Sequence, residues 1–289
     1  MMIADCPLVS VVIPTQNSAS DIENCLRLVL RQTYKNLEII VVDSGTDRTA
    51  DVARQYGCKV ITASASMTGA RNIGTHNASG EFLFHIDSDI QLVDSLTIAK
   101  CVDLCQSGAD AVSVPQAFDG ENFWGKCREV EFKLYLNYPP LSGARFVKRK
   151  VLENLGGYDE KLVSGEDWDI AEKLRRGRYV VGAAETLMIH GSGRVDLFRR
   201  MRKSYQYGKT VKLYARKYPR ETAVQWGPSR FAYLLRNGAK LAPKYIIGIL
   251  LLKAFEFGAG FAGIVSSSIP SKSRNNREAG DSKGPVATL

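Results

Sequence analysis

Asp87 and Asp89 stand two positions apart at the end of an apolar run, in the stretch EFLFHIDSDI of residues 81–90. Carboxylates held that close repel, and one is driven neutral unless positive charge shares the gap. Three arrangements meet this condition. A solvated loop leaves both charges in water. A divalent cation that prefers hard oxygen ligands is gripped by them. A phosphoryl-transfer pair uses one carboxylate as nucleophile and the other as acid. Further along, SGEDWDIAEKLRRGR (164–178) predicts a helix starting near Glu166-Asp167, where acidic residues also serve as ordinary dipole partners. His190 closes the strand-like run YVVGAAETLMIHG (179–191) and is either a hydrogen-bonded structural residue or a ligand.

Chemistry of any of these kinds needs elements that gather the groups. LVSVVIP (8–14), LEIIVVD (37–43), KVITA (59–63), EFLFHID (81–87) and DAVSVP (110–115) predict strands. Helices separate them. The first opens on a Ser20–Glu23 capping box and turns Ile22, Cys25, Leu26, Val29 and Leu30 to one face. The second stops at Gly57, and further helices cover 68–78 and 94–106. Such alternation predicts an α/β fold, a mainly parallel Rossmann-like sheet with helices on both faces. Ligands of these sheets bind beyond the carboxyl ends of the strands. Pro14-Thr15, Asp43 and Asp87 all stand at those ends, so three polar exits converge on one rim. That favours a site over a surface loop. The second half predicts a helix over 121–137, a strand over 143–149, the Glu166 helix, and a strongly basic helix from 194 to about 218 that Pro219 breaks.

The chain of 289 residues is long enough for one large α/β domain with an appendage. Its six cysteines form no CxxC pair and no zinc spacing, which suits a reducing compartment, and no signal peptide is evident. The net charge of +9 is concentrated: residues 194–253 hold 15 Lys and Arg against two Asp and Glu. A basic block of this density suggests an anionic partner, either a membrane surface or nucleic acid. YIIGILLLKAFEFGAGFAGIV (245–265) follows it and is long enough to cross a bilayer. Lys253, Glu256, Gly260 and Gly263 form one narrow stripe on that helix. Together the two segments favour membrane contact, with in-plane or re-entrant geometry ahead of a full span. Three regions are expected: a catalytic domain over 1–193, a basic and apolar helical region over 194–268, and a disordered tail over 269–289.

The phosphoryl-transfer arrangement fits poorly, since Gln91 stands where a Thr or Val is wanted and the pair follows the fourth strand, not the first. The turn PTQNSAS lacks the GxGxxG of a dinucleotide site, and GARNIG lacks the Lys of a P-loop. In chain order, VSVVIPTQN, LEIIVVDSGTDRT, GARNIG, FLFHIDSDI and GGYDEKLVSGEDWDIAEKLRRGR resemble the family 2 inverting nucleotide-sugar glycosyltransferases of the GT-A fold, over Leu8 to His190. That resemblance implies a metal-dependent transfer of one sugar from a UDP- or GDP-type donor. Asp89 and Asp87 become metal ligands for Mn²⁺ or Mg²⁺, with His190 as a further ligand that favours Mn²⁺. Pro14, Thr15, Asn17, Asp43 and Asp87 line the nucleotide pocket, and Arg71 lies near the pyrophosphate or, alternatively, on a helix surface. Asp167 of the GEDW motif is the general base. Glu166 and Trp168 contact the acceptor, although Trp168 equally suits a buried anchor. Gln225-Trp226 does not match the motif of processive synthases, which points to single addition. From the basic block and the apolar helix, the acceptor is expected to be a polyprenyl phosphate or glycolipid at the cytoplasmic face of the membrane. The rival classes are a nucleotidyltransferase, which would want a Gly-rich basic first loop, and a nucleic-acid-binding protein, which no recognisable module supports.

Overall fold

The computed structural model describes residues 6–136, 143–191, 193–238 and 242–267. The expected tail over 269–289 lies outside them. In chain order the elements are β1 (Val9–Thr15), α1 (Ile22–Leu30), β2 (Leu37–Asp43), α2 (Thr49–Gln55), β3 (Lys59–Thr62), α3 (Met67–His76), β4 (Phe82–His85), β5 (Ile90–Gln91), α4 (Thr97–Gln106), β6 (Ala111–Ser113), β7 (Gln116–Ala117), α5 (Phe123–Tyr135), β8 (Phe146–Lys148), α6 (Arg149–Asn154), α7 (Glu166–Arg176), β9 (Val181–Ala183), β10 (Met188–His190), α8 (Leu197–Lys217), α9 (Pro219–Trp226), α10 (Pro228–Gly238) and α11 (Pro243–Ser266).

Seven strands form the central sheet in the order β3-β2-β1-β4-β8-β6-β9. Only β8 runs against its neighbours β4 and β6. Alternate side chains of each strand enter opposite cores, as the two-residue period of a strand requires. Val9, Val11, Ile13, Val41, Phe82 and Phe84 pack with α1 and α4 on one face. Ile40, Val42, Leu83 and Val147 pack with Ala70, Ile170 and Leu174 on the other. Gly74 lets α3 lie close on β1, since a Cβ there would fall 2.3 Å from a methyl of Val12.

The expected mainly parallel α/β fold is present, with two differences in detail. Helix α1 begins at Ile22 after Asp21, and no side chain caps it, so the Ser20–Glu23 capping box does not form. Ser20 instead donates to the Asp21 carboxylate. The run 179–191 is two strands, not one. Its first part extends the main sheet as β9 and its second joins a small sheet, β5-β10-β7. The non-strand residues Ala184–Leu187 separate two short segments that periodicity alone cannot divide.

Helices α8 to α11 follow the sheet. Helix α11 is long and apolar enough to cross a membrane, and only 28% of its most apolar stretch is buried. Its narrow polar-and-small stripe faces the protein. A Cβ on Gly208 of α8 would lie 2.0 Å from the Gly260 carbonyl oxygen, and one on Gly263 would lie 2.1 Å from that of Tyr205. The two backbones meet because no side chain intervenes. The opposite face of α11 carries Ile247, Leu250, Leu251, Phe255, Phe261 and Val265, all exposed.

Candidate active site

The rim predicted from the strand ends forms first at β1 and β2. Thr15 donates its hydroxyl to Asp43 at 2.8 Å, and the Gly45 amide donates to the same carboxylate oxygen at 3.2 Å. Asn17, in the left-handed region at φ 53°, accepts from the Thr46 amide at 2.9 Å. Gly45 is required there, since a Cβ would fall 2.5 Å from the Asn17 nitrogen. Pro14, Thr15, Asn17 and Asp43 therefore share one edge, with the Asp43 carboxylate fixed and buried.

Asp87 and Asp89 lie past the end of β4, in the turn to β5. The positive charge that holds Asp87 is a pair of guanidinium groups. Arg71 donates to Oδ1 at 2.7 Å and Arg145 to Oδ2 at 2.9 Å. The same arginines reach the first turn of α7: Arg71 donates to Glu166 at 2.9 Å, and Arg145 to Asp167 at 2.7 Å. The result is a closed ring of ion pairs between the β4 turn and the α7 N-terminus. Burial alone would raise the Asp87 carboxyl, but Arg145 and Arg71 outweigh it and hold the acid far below the ordinary carboxylate range. Glu166 moves the other way, raised by burial and by Asp167 next to it.

Arg71 is 2% exposed, so the surface-helix alternative is wrong. Behind the ring, buried His85 is pushed down to about 3 by burial, Arg71 and Arg145. It stays neutral, exchanges a hydrogen bond with Thr75 at 3.0 Å and meets Tyr158 edge-on. Arg145, Tyr158 and His85 were missed by sequence reasoning. The one available signal was an Arg leading directly into the apolar strand FVK.

Asp89 faces His190 across 3.6 Å, because β5 pairs antiparallel with β10 and sets Ile90 opposite His190. One ligand atom from each of Asp87, Asp89 and His190 falls within 4.8 Å of the others. Burial lowers the His190 imidazole despite the opposing pull of Asp89, which leaves it neutral with a lone pair to give. Asp89 and His190 thus suit a divalent cation that completes its shell with substrate oxygens and water. Asp87 can join only through lone pairs its arginines leave free.

Asp167 is aimed by Gly165, whose φ of 81° starts α7 in a conformation that favours glycine. Together with Arg145 and Trp168, it lines a cavity of about 640 Å³ that runs on toward α5, α8, α10 and α11. Trp168 both lines this cavity and packs on Tyr214 and Trp226, with ring centroids 5.9 and 6.5 Å away. Of the sequence-predicted groups, Asp43, Asp87, Asp89 and His190 mark the sheet rim, while Arg71 and Arg145 tie that rim to Glu166 and Asp167.

Known proteins share both sequence and shape with this chain. The sequence model described as Glycosyl transferase family 2 matches residues 10–157. Glycosyltransferase AglE of Haloferax volcanii is 27% identical over 184 residues, 57% of this chain and 60% of AglE. A PGL/p-HBAD biosynthesis glycosyltransferase of Mycobacterium bovis BCG is 28% identical over 174 residues, 56% of this chain and 68% of the relative. The mannosyltransferase PcManGT from Pyrobaculum calidifontis, solved with GDP-Man and Mn²⁺, superimposes with a TM-score of 0.64 at 20% identity, covering 92% of this chain and 88% of that one. TarS 1-349 of S. aureus, solved with UDP, gives 0.51 at 15% identity over 90% and 91% of the two chains. The family match spans half of the sequence, through the sheet that carries Asp43, Asp87 and Asp89, and the neighbours reproduce its layered α/β arrangement. The chain belongs to glycosyl transferase family 2 and has the GT-A fold.

Proposed function

We propose that this protein transfers a single sugar from a nucleotide-sugar donor to a lipid-linked acceptor with inversion, at a membrane surface. The observation that carries this is the ring in which Arg71 and Arg145 join Asp87, beside the Asp89–His190 pair, to Glu166 and Asp167, with Asp167 lining a large cavity. Pro14, Thr15, Asn17 and Asp43 receive the nucleoside. PcManGT and TarS were solved with GDP-Man and UDP, which supports a donor of that kind.

Asp89 and His190, with Asp87 beside them, would hold Mn²⁺ or Mg²⁺. When bound, such an ion supplies Lewis-acid neutralisation of charge on the donor diphosphate. Arg71 and Arg145 orient Asp87 toward that side and Asp167 toward the acceptor side. Asp167 accepts the proton of the acceptor hydroxyl as the hydroxyl oxygen bonds to the anomeric carbon. The bond from that carbon to the diphosphate oxygen breaks on the opposite face, and its electron pair leaves with the nucleoside diphosphate. Attack opposite the leaving group inverts the anomeric centre.

The exposed apolar face of α11, beside the basic helix α8, supports the membrane surface at which we place the reaction. Residues of α11 on the opposite face are consumed by packing on α8, which favours an in-plane helix over a spanning one. Free thiols at all six cysteines accord with the cytoplasmic side.

The deciding experiment screens nucleotide sugars for release of nucleoside diphosphate, with and without Mn²⁺ or Mg²⁺. One donor should be turned over in a metal-dependent way, and Asp89→Ala should weaken the apparent metal affinity at least ~10-fold. Turnover indifferent to metal would reject this mechanism. Membrane contact is tested by Ile247→Asp with Leu251→Asp, two exposed positions on α11. The pair should weaken binding to anionic vesicles at least ~10-fold, because each apolar side chain contributes roughly 1.5–3 kcal/mol on burial. Unchanged vesicle binding would remove α11 as the contact.

A further inference from the structure

The cavity beyond Asp167 has an unbalanced lining. Glu131 of α5, with its side chain 2% exposed, is contacted by Arg128 at 2.6 Å, Lys253 at 2.7 Å and Arg230 at 3.3 Å. Glu256 of α11 takes Lys253 at 2.8 Å and also Arg200. Lys203 lines the same space and stands 5.5 Å over the Tyr207 ring. Setting aside Arg145 and Asp167, which pair with each other, five cations line the cavity against two carboxylates among the described residues.

Lys203 is exposed, but Arg128, Arg200, Arg230 and Lys253 are largely withdrawn from solvent, and their excess over Glu131 and Glu256 is costly unless an anion answers it. The rest of the wall is mostly apolar and aromatic, with Phe132, Trp226, Phe257 and Phe261 among its members beside Ser113, Gln116 and Ser204. Phe261 belongs at once to this wall and to the exposed face of α11, where it is 67% exposed. The lining of this one cavity therefore offers a ligand a carboxylate suited to a hydroxyl, a group of cations, and apolar side chains that include Phe261 at the surface we assign to the membrane.

We propose that this cavity is the acceptor site and that its ligand is an amphiphile in which a phosphate joins an apolar chain to a hydroxyl-bearing headgroup. The phosphate answers the excess charge of Arg200, Lys203 and Arg230. The headgroup hydroxyl faces Asp167, and the chain leaves past Phe257 and Phe261. This inference rests on the transfer function above and narrows it, since an uncharged glycolipid would leave the cations unanswered.

Calorimetric titration of the full chain in neutral detergent tests it without any donor. The probes are farnesyl phosphate, farnesol, octyl glucoside and inorganic pyrophosphate. Farnesyl phosphate should saturate one site and bind at least ~10-fold more tightly than the other three, because only it offers both charge and chain. Lys203→Glu should weaken it at least ~10-fold, and Lys203→Ala, which only removes charge, by less. Lys209→Glu reverses a charge on the same helix at a residue that does not line the cavity, and should have a small effect. Equal binding of farnesol would overturn the proposal. Equal binding of pyrophosphate would assign the charge to a free anion and overturn it too. An equal loss in Lys209→Glu would reduce the effect to diffuse surface charge, with the same consequence. In each of those cases metal-dependent release of nucleoside diphosphate would leave the transfer function standing. Selective binding of farnesyl phosphate with no donor turned over would instead reject the transfer function and keep the anionic-amphiphile site.

Discussion

Asp167→Asn is expected to slow nucleoside diphosphate release by about 10²–10⁴-fold, the usual contribution of a positioned general base. The substitution is nearly isosteric, and its amide oxygen can still accept from Arg145, which donates to Asp167 at 2.7 Å in the intact protein. The Asp87–Arg71–Glu166 side of the ring is untouched. What is lost is the ability to take a proton from the attacking hydroxyl or water. The KM for the donor should therefore stay within about threefold while kcat falls, the pattern of an interaction made in the transition state. Steady-state kinetics on the donor found by the metal screen measures both. A kcat within about threefold of the parent would remove Asp167 as base. A rise in donor KM matching the fall in kcat/KM would recast it as a residue that merely positions Arg145.

The residues that carry this prediction were unequally legible. Asp43, Asp87 and Asp167 could be found because each ends or begins an element with an obvious period, so the sheet rule alone put the first two on one rim. His190 was harder. It reaches Asp89 only through the β5–β10 pairing, and β5 spans just Ile90–Gln91. A two-residue strand has no period for a sequence to show. Arg145 was missed for a different reason. Its partners Asp87 and Asp167 lie 58 and 22 positions away along the chain, and nothing local distinguishes a buried, doubly paired guanidinium from a strand-end surface charge. Likewise, the stripe of Lys253, Glu256, Gly260 and Gly263 was visible on α11 before its partner was. Only the packing showed that these residues meet α5 and α8 within the chain, and that the opposite, wholly apolar face is left for the surroundings.

The same packing sets the largest stability effect. Glu131→Gln should destabilise the fold by about 3–5 kcal/mol, the cost of removing one partner from a buried ion cluster. Three cations surround this one carboxylate, so the amide would leave Arg128, Lys253 and Arg230 with Glu256 as the remaining carboxylate of the group. Burial would raise the Glu131 carboxyl above its ordinary value of 4.5, but Arg128, Lys253 and Arg230 outweigh burial and depress it strongly. A group depressed in the folded state stabilises fully above its unfolded pKa, and that stabilisation is lost as pH falls through the folded value. The parent protein should thus lose stability as pH drops below about 4.5, and Glu131→Gln should show a flatter acid limb from a lower plateau. Denaturant midpoints at neutral and acid pH measure both, provided the slope m is unchanged. Lys253→Met, added to Glu131→Gln, should recover part of the loss, since Glu256 still pairs with Arg200 and an apolar side chain removes one of the buried cations in excess. A Glu131→Gln midpoint equal to the parent's would mean that water, not the three cations, answers this carboxylate. The α5–α11 junction would then be held by apolar contacts such as Cys127 against Ile249 alone.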